Sequence, residues 1–133
     1  MTDTIFSKII AREIPAEIVY EDEHVLAFLD IKPVQKGHTL VVPKKQFRWF
    51  TDLPIDLLTP LFGASQRVAS ALQKTTKADL IQLSIVGDEV PHVHIHLIPR
   101  FKNDGLSNWP TEEYKEGESK EFGERIRANL LLP

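Results

Sequence analysis

The segment His92-Val93-His94-Ile95-His96-Leu97 alternates imidazole and aliphatic side chains without a break. A period of two is the pattern of an extended strand, whose successive side chains point to opposite faces. The three histidines therefore share one face, with about 6.5–7 Å between neighbours, while Val93, Ile95 and Leu97 share the other and enter the core. Three imidazoles do not make ordinary core, because each buried ring needs hydrogen-bond partners. An ordinary solvent face would favour Thr, Lys or Glu instead. Three readings stand: a polar strand that happens to carry histidines, a metal site, or histidine chemistry on a phosphate. Neutral imidazoles bind zinc, and His-x-His on a strand is a usable ligand spacing, although no nearby carboxylate stands out as a further ligand. In the third reading one imidazole attacks while others hydrogen-bond and transfer protons.

The rest of the chain supplies a fold around this strand. Ile5, Phe6, Ile9 and Ile10 mark one apolar face of a short helix that ends near Ile14-Pro15. Strands are expected at Ile18–Tyr20, Val25–Leu29, Thr39–Val42 and Leu80–Val86, with a fifth over Val93–Ile98 and His92 at its start. Pro43 should stop the third. Leu61, Ser65, Val68, Ala69 and Leu72 share a helical face, and Thr59-Pro60 reads as an N-cap followed by proline at the first helical position. That places the longest helix at about Thr59 to Thr76, with a possible extra turn from Pro54 to Leu58. Lys102 to about Glu118 is polar and loop-like, and Lys120 to Leu131 suits a charged terminal helix. The expectation is an α+β domain with a mostly antiparallel sheet.

Composition narrows the function classes. A chain of 133 residues is the size of one domain. It has no cysteine, which rules out disulfides, thiolate zinc sites and a cysteine nucleophile, and fits a reducing cytoplasm. With 16 basic against 19 acidic residues, no basic excess advertises a nucleic-acid partner. No apolar run approaches the roughly 20 residues that span a bilayer, and Met1-Thr2-Asp3-Thr4 does not look like the start of a signal peptide. Neither a membrane nor a nucleic acid is expected as a partner.

His92 to Ile98 resembles the signature of the histidine triad (HIT) superfamily, His-φ-His-φ-His-φ-φ. The likeness extends through Thr4-Ile5-Phe6-Ser7-Lys8-Ile9-Ile10 with Glu13-Ile14-Pro15-Ala16, through Ala27-Phe28-Leu29-Asp30-Ile31 and Pro33, and through Gly37-His38-Thr39-Leu40-Val41-Val42-Pro43-Lys44. It covers about residues 4 to 101 and is nearest the Hint-like and bacterial Hit branch. The resemblance implies a single domain over residues 1–133, with 102–133 as an added loop and helix. It implies a five-stranded antiparallel sheet with two main helices, and a homodimer joined into a ten-stranded sheet. It also implies a purine nucleotide substrate, such as a nucleoside 5′-phosphoramidate of the AMP-lysine or AMP-NH2 type, and no cofactor. His94 would be the nucleophile, forming a nucleotidyl-histidine that water hydrolyses. A neighbouring backbone carbonyl would hold the far nitrogen of His94 as N–H. His96 and His38 would bind the phosphate and help the leaving group, and His92 would orient the others. Asp30 would bind the ribose hydroxyls. Phe6, Ile9, Phe28 and Ile31 would surround the base, although core packing explains Ile9 and Phe28 equally well. His24 lies outside every motif and is expected to be exposed.

The sequence departs from the family pattern in two places. The strand Ile81-Gln82-Leu83-Ser84-Ile85-Val86 lacks the usual Asn and Gly, and Gly87 is followed by Asp88 and Glu89 rather than Gln. Asp88 and Glu89 fall at nucleotide-binding positions, yet inward carboxylates would repel a phosphate. They are expected to face solvent while loop N–H groups meet the phosphate. The structural zinc of many bacterial members needs Cys-x-x-Cys and a histidine, where this chain has Thr4, Ser7 and Gln46, so no metal is expected. Two other functions stay open beside phosphoramidate hydrolysis: dinucleoside polyphosphate hydrolysis, and nucleotide binding or scaffolding with weak catalysis. Trp109, Tyr114 and the terminal helix either fold over the site or dimer interface, or anchor a loop to the surface.

Overall fold

The computed structural model describes residues 2–106 and 110–130. Helix α1 (Ile5–Ile10) starts at Thr4, whose hydroxyl accepts from the N–H groups of Phe6 and Ser7, while the Ser7 hydroxyl accepts from the Thr4 N–H. This reciprocal cap satisfies N–H groups that a short helix otherwise leaves unpaired. Strands β1 (Ile18–Glu21), β2 (Val25–Leu29) and β3 (Thr39–Pro43) follow, then a 3-10 turn, helix α2 (Ile55–Thr76), strands β4 (Leu80–Ser84) and β5 (Ile95–Arg100), and helix α3 (Glu118–Leu130). All strand pairs are antiparallel, in the order β1-β2-β3-β5-β4.

Alternation along the central strands divides the core in two. Val25, Ala27, Val41, Ile95 and Leu97 pack with Val93 under Leu61, Ala64, Val68 and Leu72 of α2. Leu26, Phe28, Leu40 and Val42 point the other way and pack with Phe6 and Ile9 of α1. Burying each of these larger aliphatic side chains is worth about 1.5–3 kcal/mol. With both faces covered, the central strands are apolar throughout. Gly37, at φ +100°, brings the backbone so close to α2 that an added Cβ would stand 2.9 Å from Leu72 Cδ1.

Several boundaries differ from the sequence reading. Helix α2 begins at Ile55 after Pro54, so Thr59 is not its cap and Pro60 lies inside the helix. Pro60 there costs one backbone hydrogen bond near the helix start, while Leu61 and Ala64 just beyond it are buried and hold the turn by packing. Pro43 continues β3, opposite Val25, rather than stopping it. Strand β4 ends at Ser84, two residues early, and β5 begins at Ile95. Helix α3 starts at Glu118; Leu131 lies outside the described residues. Among the described residues no helix is long and apolar enough to cross a membrane.

Candidate active site

Because β5 begins at Ile95, only His96 of the three histidines lies in a paired strand. His92 and His94 sit on an extended lead-in, held by the Val93 N–H donating to Phe47 O (2.7 Å) and the His92 N–H to Val90 O (2.8 Å). The period of two nevertheless persists: Val93, Ile95 and Leu97 all enter the α2 side of the core. On the α1 side the His94 and His96 rings lie edge to face with centroids 4.8 Å apart, and Phe6 packs its ring at 4.8 Å from His94 and 6.0 Å from His92.

Each histidine has a distinct partner. His94 Nδ1 lies 2.8 Å from the backbone oxygen of His92, so Nδ1 carries the hydrogen and Nε2 keeps its lone pair in the neutral ring. His92 Nε2 donates to Pro43 O at 2.8 Å; its buried Nδ1 has no protein partner. The His92 side chain is thus tied to Pro43 beside Phe6, and its backbone carbonyl is what holds His94. His38, directly before β3, is buried, with Nε2 2.9 Å from His96 Nδ1 and 3.8 Å from Asp30 Oδ2. Asp30 closes β2: its N–H donates to His38 O, and its Oδ1 accepts from the Lys32 N–H at 2.9 Å.

Burial sets the charge state of these rings, because a desolvated imidazolium is costly. It pushes His96 down to about 4, helped by the nearby His94 and His38 rings. It lowers His38 as well, opposed by Asp30, and lowers His92 despite the Pro43 carbonyl. His38, His92 and His96 are therefore neutral donor–acceptor groups near pH 7, not fixed cations.

His94 and His96 line an open pocket with Val86, Gly87, Asp88 and Glu89. The Asp88 and Glu89 side chains are exposed at its mouth. Gly87 (φ +78°) packs against the Trp49 ring, where a Cβ would approach to 3.2 Å. Ile31 is 86% exposed, while Ile9 and Phe28 are buried in the core beneath the histidines. Phe6 is buried too but touches the histidine rings directly. His24 is exposed. Ser84 stands directly across from His96 in the β4–β5 pair, a neighbour that only the strand register reveals. Trp109 lies outside the described residues; Tyr114 meets Phe122 of α3.

Two groups of residues bear on metal binding. Asp30, His38 and His96 offer ligand atoms within 4.8 Å of one another. Two of those atoms, His38 Nε2 and His96 Nδ1, already share a hydrogen in a 2.9 Å bond that a cation would have to displace. The zinc positions of the family resemblance hold Thr4 and Ser7, spent on the α1 cap, and Gln46, whose amide donates to Thr2 O and Pro91 O. Hydroxyl and carboxamide groups are poor ligands for zinc beside thiolate and imidazole. The residues at the zinc positions therefore do not fit that ion.

An antiparallel sheet whose lead-in segment holds a lone-pair imidazole, hydrogen-bonded through its far nitrogen to backbone and flanked by further histidines, is chemically equipped for histidine chemistry on a ligand. The HIT domain model matches residues 11–103, and the chain belongs to this family. An uncharacterised HIT-like protein of Methanocaldococcus jannaschii is 49% identical over 105 residues, covering 76% of this chain and 81% of the relative. An adenosine 5′-monophosphoramidase of Saccharomyces cerevisiae is 40% identical, over 82% of this chain and 71% of its own length. The solved structure of a HIT family member from Bacillus subtilis superposes with a TM-score of 0.89 at 36% identity, covering 99% of this chain and all of that one.

Proposed function

We propose that the protein is a nucleotide hydrolase that cleaves purine nucleoside 5′-phosphoramidates through a nucleotidyl-histidine at His94. The observation that carries this is the 2.8 Å bond from His94 Nδ1 to His92 O, which leaves Nε2 free to attack. Nε2 bonds to the α-phosphorus, the P–N bond breaks, and the departing amine takes a proton from solvent water, which regains one when the second water is consumed. Water then attacks phosphorus, the P–Nε2 bond breaks, and the nucleoside monophosphate leaves. Splitting one difficult displacement into two is what a covalent intermediate contributes. His96 meets the phosphate, and His38 acts on it through His96. Asp30 receives the ribose hydroxyls, and Phe6 and the exposed Ile31 adjoin the base, an apolar contact that discriminates poorly between purines. The N–H groups of the Gly87–Glu89 loop face the phosphate. A relative of 40% identity named as an adenosine monophosphoramidase supports this substrate class.

The same reading includes a homodimer. Strand β4 is an edge of the sheet, and an open groove beside it is lined by Phe62, Gly63, Ala69 and Leu83. Leu83 is 49% and Phe62 37% exposed. An unpaired strand edge beside an exposed apolar groove invites pairing with a second copy into a ten-stranded sheet.

The test is hydrolysis of an adenosine 5′-phosphoramidate in EDTA by wild type and His94→Ala. Turnover that survives EDTA and disappears in the variant supports the reading. A folded wild type that binds AMP without turnover favours a nucleotide-binding protein, for which the acidic Asp88-Glu89 loop already argues.

A further inference from the structure

One contact made by these rings fixes a direction from the donor side. The Val34 backbone N–H lies 3.1 Å from His38 Nδ1. A backbone N–H only donates, so His38 Nδ1 is the acceptor and, in a neutral ring, the hydrogen is on Nε2. That nitrogen is 2.9 Å from His96 Nδ1, which must then accept, leaving the hydrogen of His96 on its own Nε2. Asp30 Oδ2, 3.8 Å from His38 Nε2, favours the same arrangement. His96 lines the pocket, and among the described residues its Nε2 has no hydrogen-bond partner. We propose that the Val34 amide is a positioning group that fixes the tautomers of His38 and His96 in series, so that His96 presents an Nε2–H donor to a bound phosphate.

The chain of bonds has a consequence for His94 and His96 as a pair. The His92 carbonyl strips the hydrogen from His94 Nε2, and the Val34 amide places one on His96 Nε2. Two adjacent rings of the same residue type thereby receive opposite roles, one a lone pair and one a donor, from backbone groups of opposite polarity. A protonated His96 would set an Nδ1–H against the Nε2–H of His38, so the arrangement makes His96 a hydrogen-bond donor rather than a source of protons. It also denies His38 Nε2 to a metal, since the lone pair there exists only in the other tautomer.

The inference rests on the nucleotide reading for the identity of the ligand. Imidazole 15N–1H correlation spectra of wild type should show Nε2–H with bare Nδ1 for both His38 and His96. Replacing the Pro33–Val34 amide by an ester, with the 2-hydroxy analogue of valine, deletes the donor and keeps the side chain. Its AMP affinity should fall about tenfold, the loss expected for about 1.4 kcal/mol, while adenosine affinity stays unchanged and both rings show mixed tautomers. Val34→Ala, which trims a half-exposed side chain but retains the N–H, should match wild type. An Nδ1–H form of either ring in wild type overturns the proposal, as does an ester variant that weakens adenosine as much as AMP. If wild type shows both tautomers yet binds no AMP, the nucleotide reading has failed and the phosphate donor falls with it.

Discussion

The Nδ1 atom of His94 lies 2.8 Å from the carbonyl oxygen of His92, two residues earlier in the same extended segment. The hydrogen bond costs no extra residue, and it survives any substitution of the His92 side chain that preserves the backbone. His94→Ala should abolish nucleotidyl transfer, by about 10³-fold or more in kcat. A brief quench of wild type with substrate should trap an acid-labile nucleotidyl adduct, seen by intact mass, that the variant lacks.

Asp30 has one oxygen committed to the Lys32 N–H and the other free toward His38. Asp30→Asn preserves the first contact and removes the charge from the second. KM for a ribonucleoside phosphoramidate should rise about tenfold or more, the worth of hydrogen bonds to a charged acceptor. KM for the 2′-deoxy analogue should start high and change little. Equal losses on both substrates would remove Asp30 from the ribose.

Stability should fall on acidification before the carboxylates titrate. His38, His92 and His96 are all lowered from 6.5 in the fold, His96 to about 4. Between these values the unfolded chain binds protons that the folded chain refuses, so stability is full above about pH 6.5 and is lost as pH falls toward 4. The His96 contribution is at most about 3 kcal/mol. Glu21 and Asp22, lowered from 4.5 and 3.8, act below most of that window. Urea midpoints at pH 7.5 and 5 should differ, and His96→Gln should narrow the gap.

Gly37 combines a positive φ with an approach to α2 that leaves no room for a methyl group. Gly37→Ala should destabilise by about 1–3 kcal/mol through strain and overpacking. Since Gly37 directly precedes His38, the survivors should also lose AMP affinity. A denaturant midpoint at the wild-type value would contradict both the turn and the packing.

The exposed Leu83 on edge strand β4 tests the homodimer. Leu83→Glu places a charge in the centre of the apolar groove and should yield monomers by light scattering at concentrations where wild type is dimeric. A wild type that is monomeric throughout refutes the ten-stranded sheet.

Much of this protein is legible in its sequence, because period and residue type act locally. The alternation from His92 to Leu97 already assigns the histidines to one face and the aliphatics to the other, and the structure keeps that division even where the strand ladder has not begun. The apolar blocks at Val25–Leu29 and Thr39–Pro43 become central strands because both of their faces are covered. Boundaries are less legible. Thr59-Pro60 has the form of a helix start, yet the helix begins at Ile55, in the extra turn that the sequence also offers from Pro54 to Leu58, and Pro60 lies inside it with Leu61 and Ala64 buried just beyond. Asp88 and Glu89 are expected from the sequence to face solvent, and both are exposed where they line the pocket beside His94 and His96.

The identity of the histidines is written in the chain, while the division of labour among them comes from the tertiary structure. Which nitrogen of each ring holds a hydrogen depends on the single polar atom opposite it: His92 O for His94, Pro43 O for His92, the Val34 N–H for His38, and His38 itself for His96. Backbone groups are the same in every residue, so no pattern of side chains announces them. Only the path of the chain between β2 and β3, turned at Gly37 and packed against α2, brings a particular N–H to a particular ring.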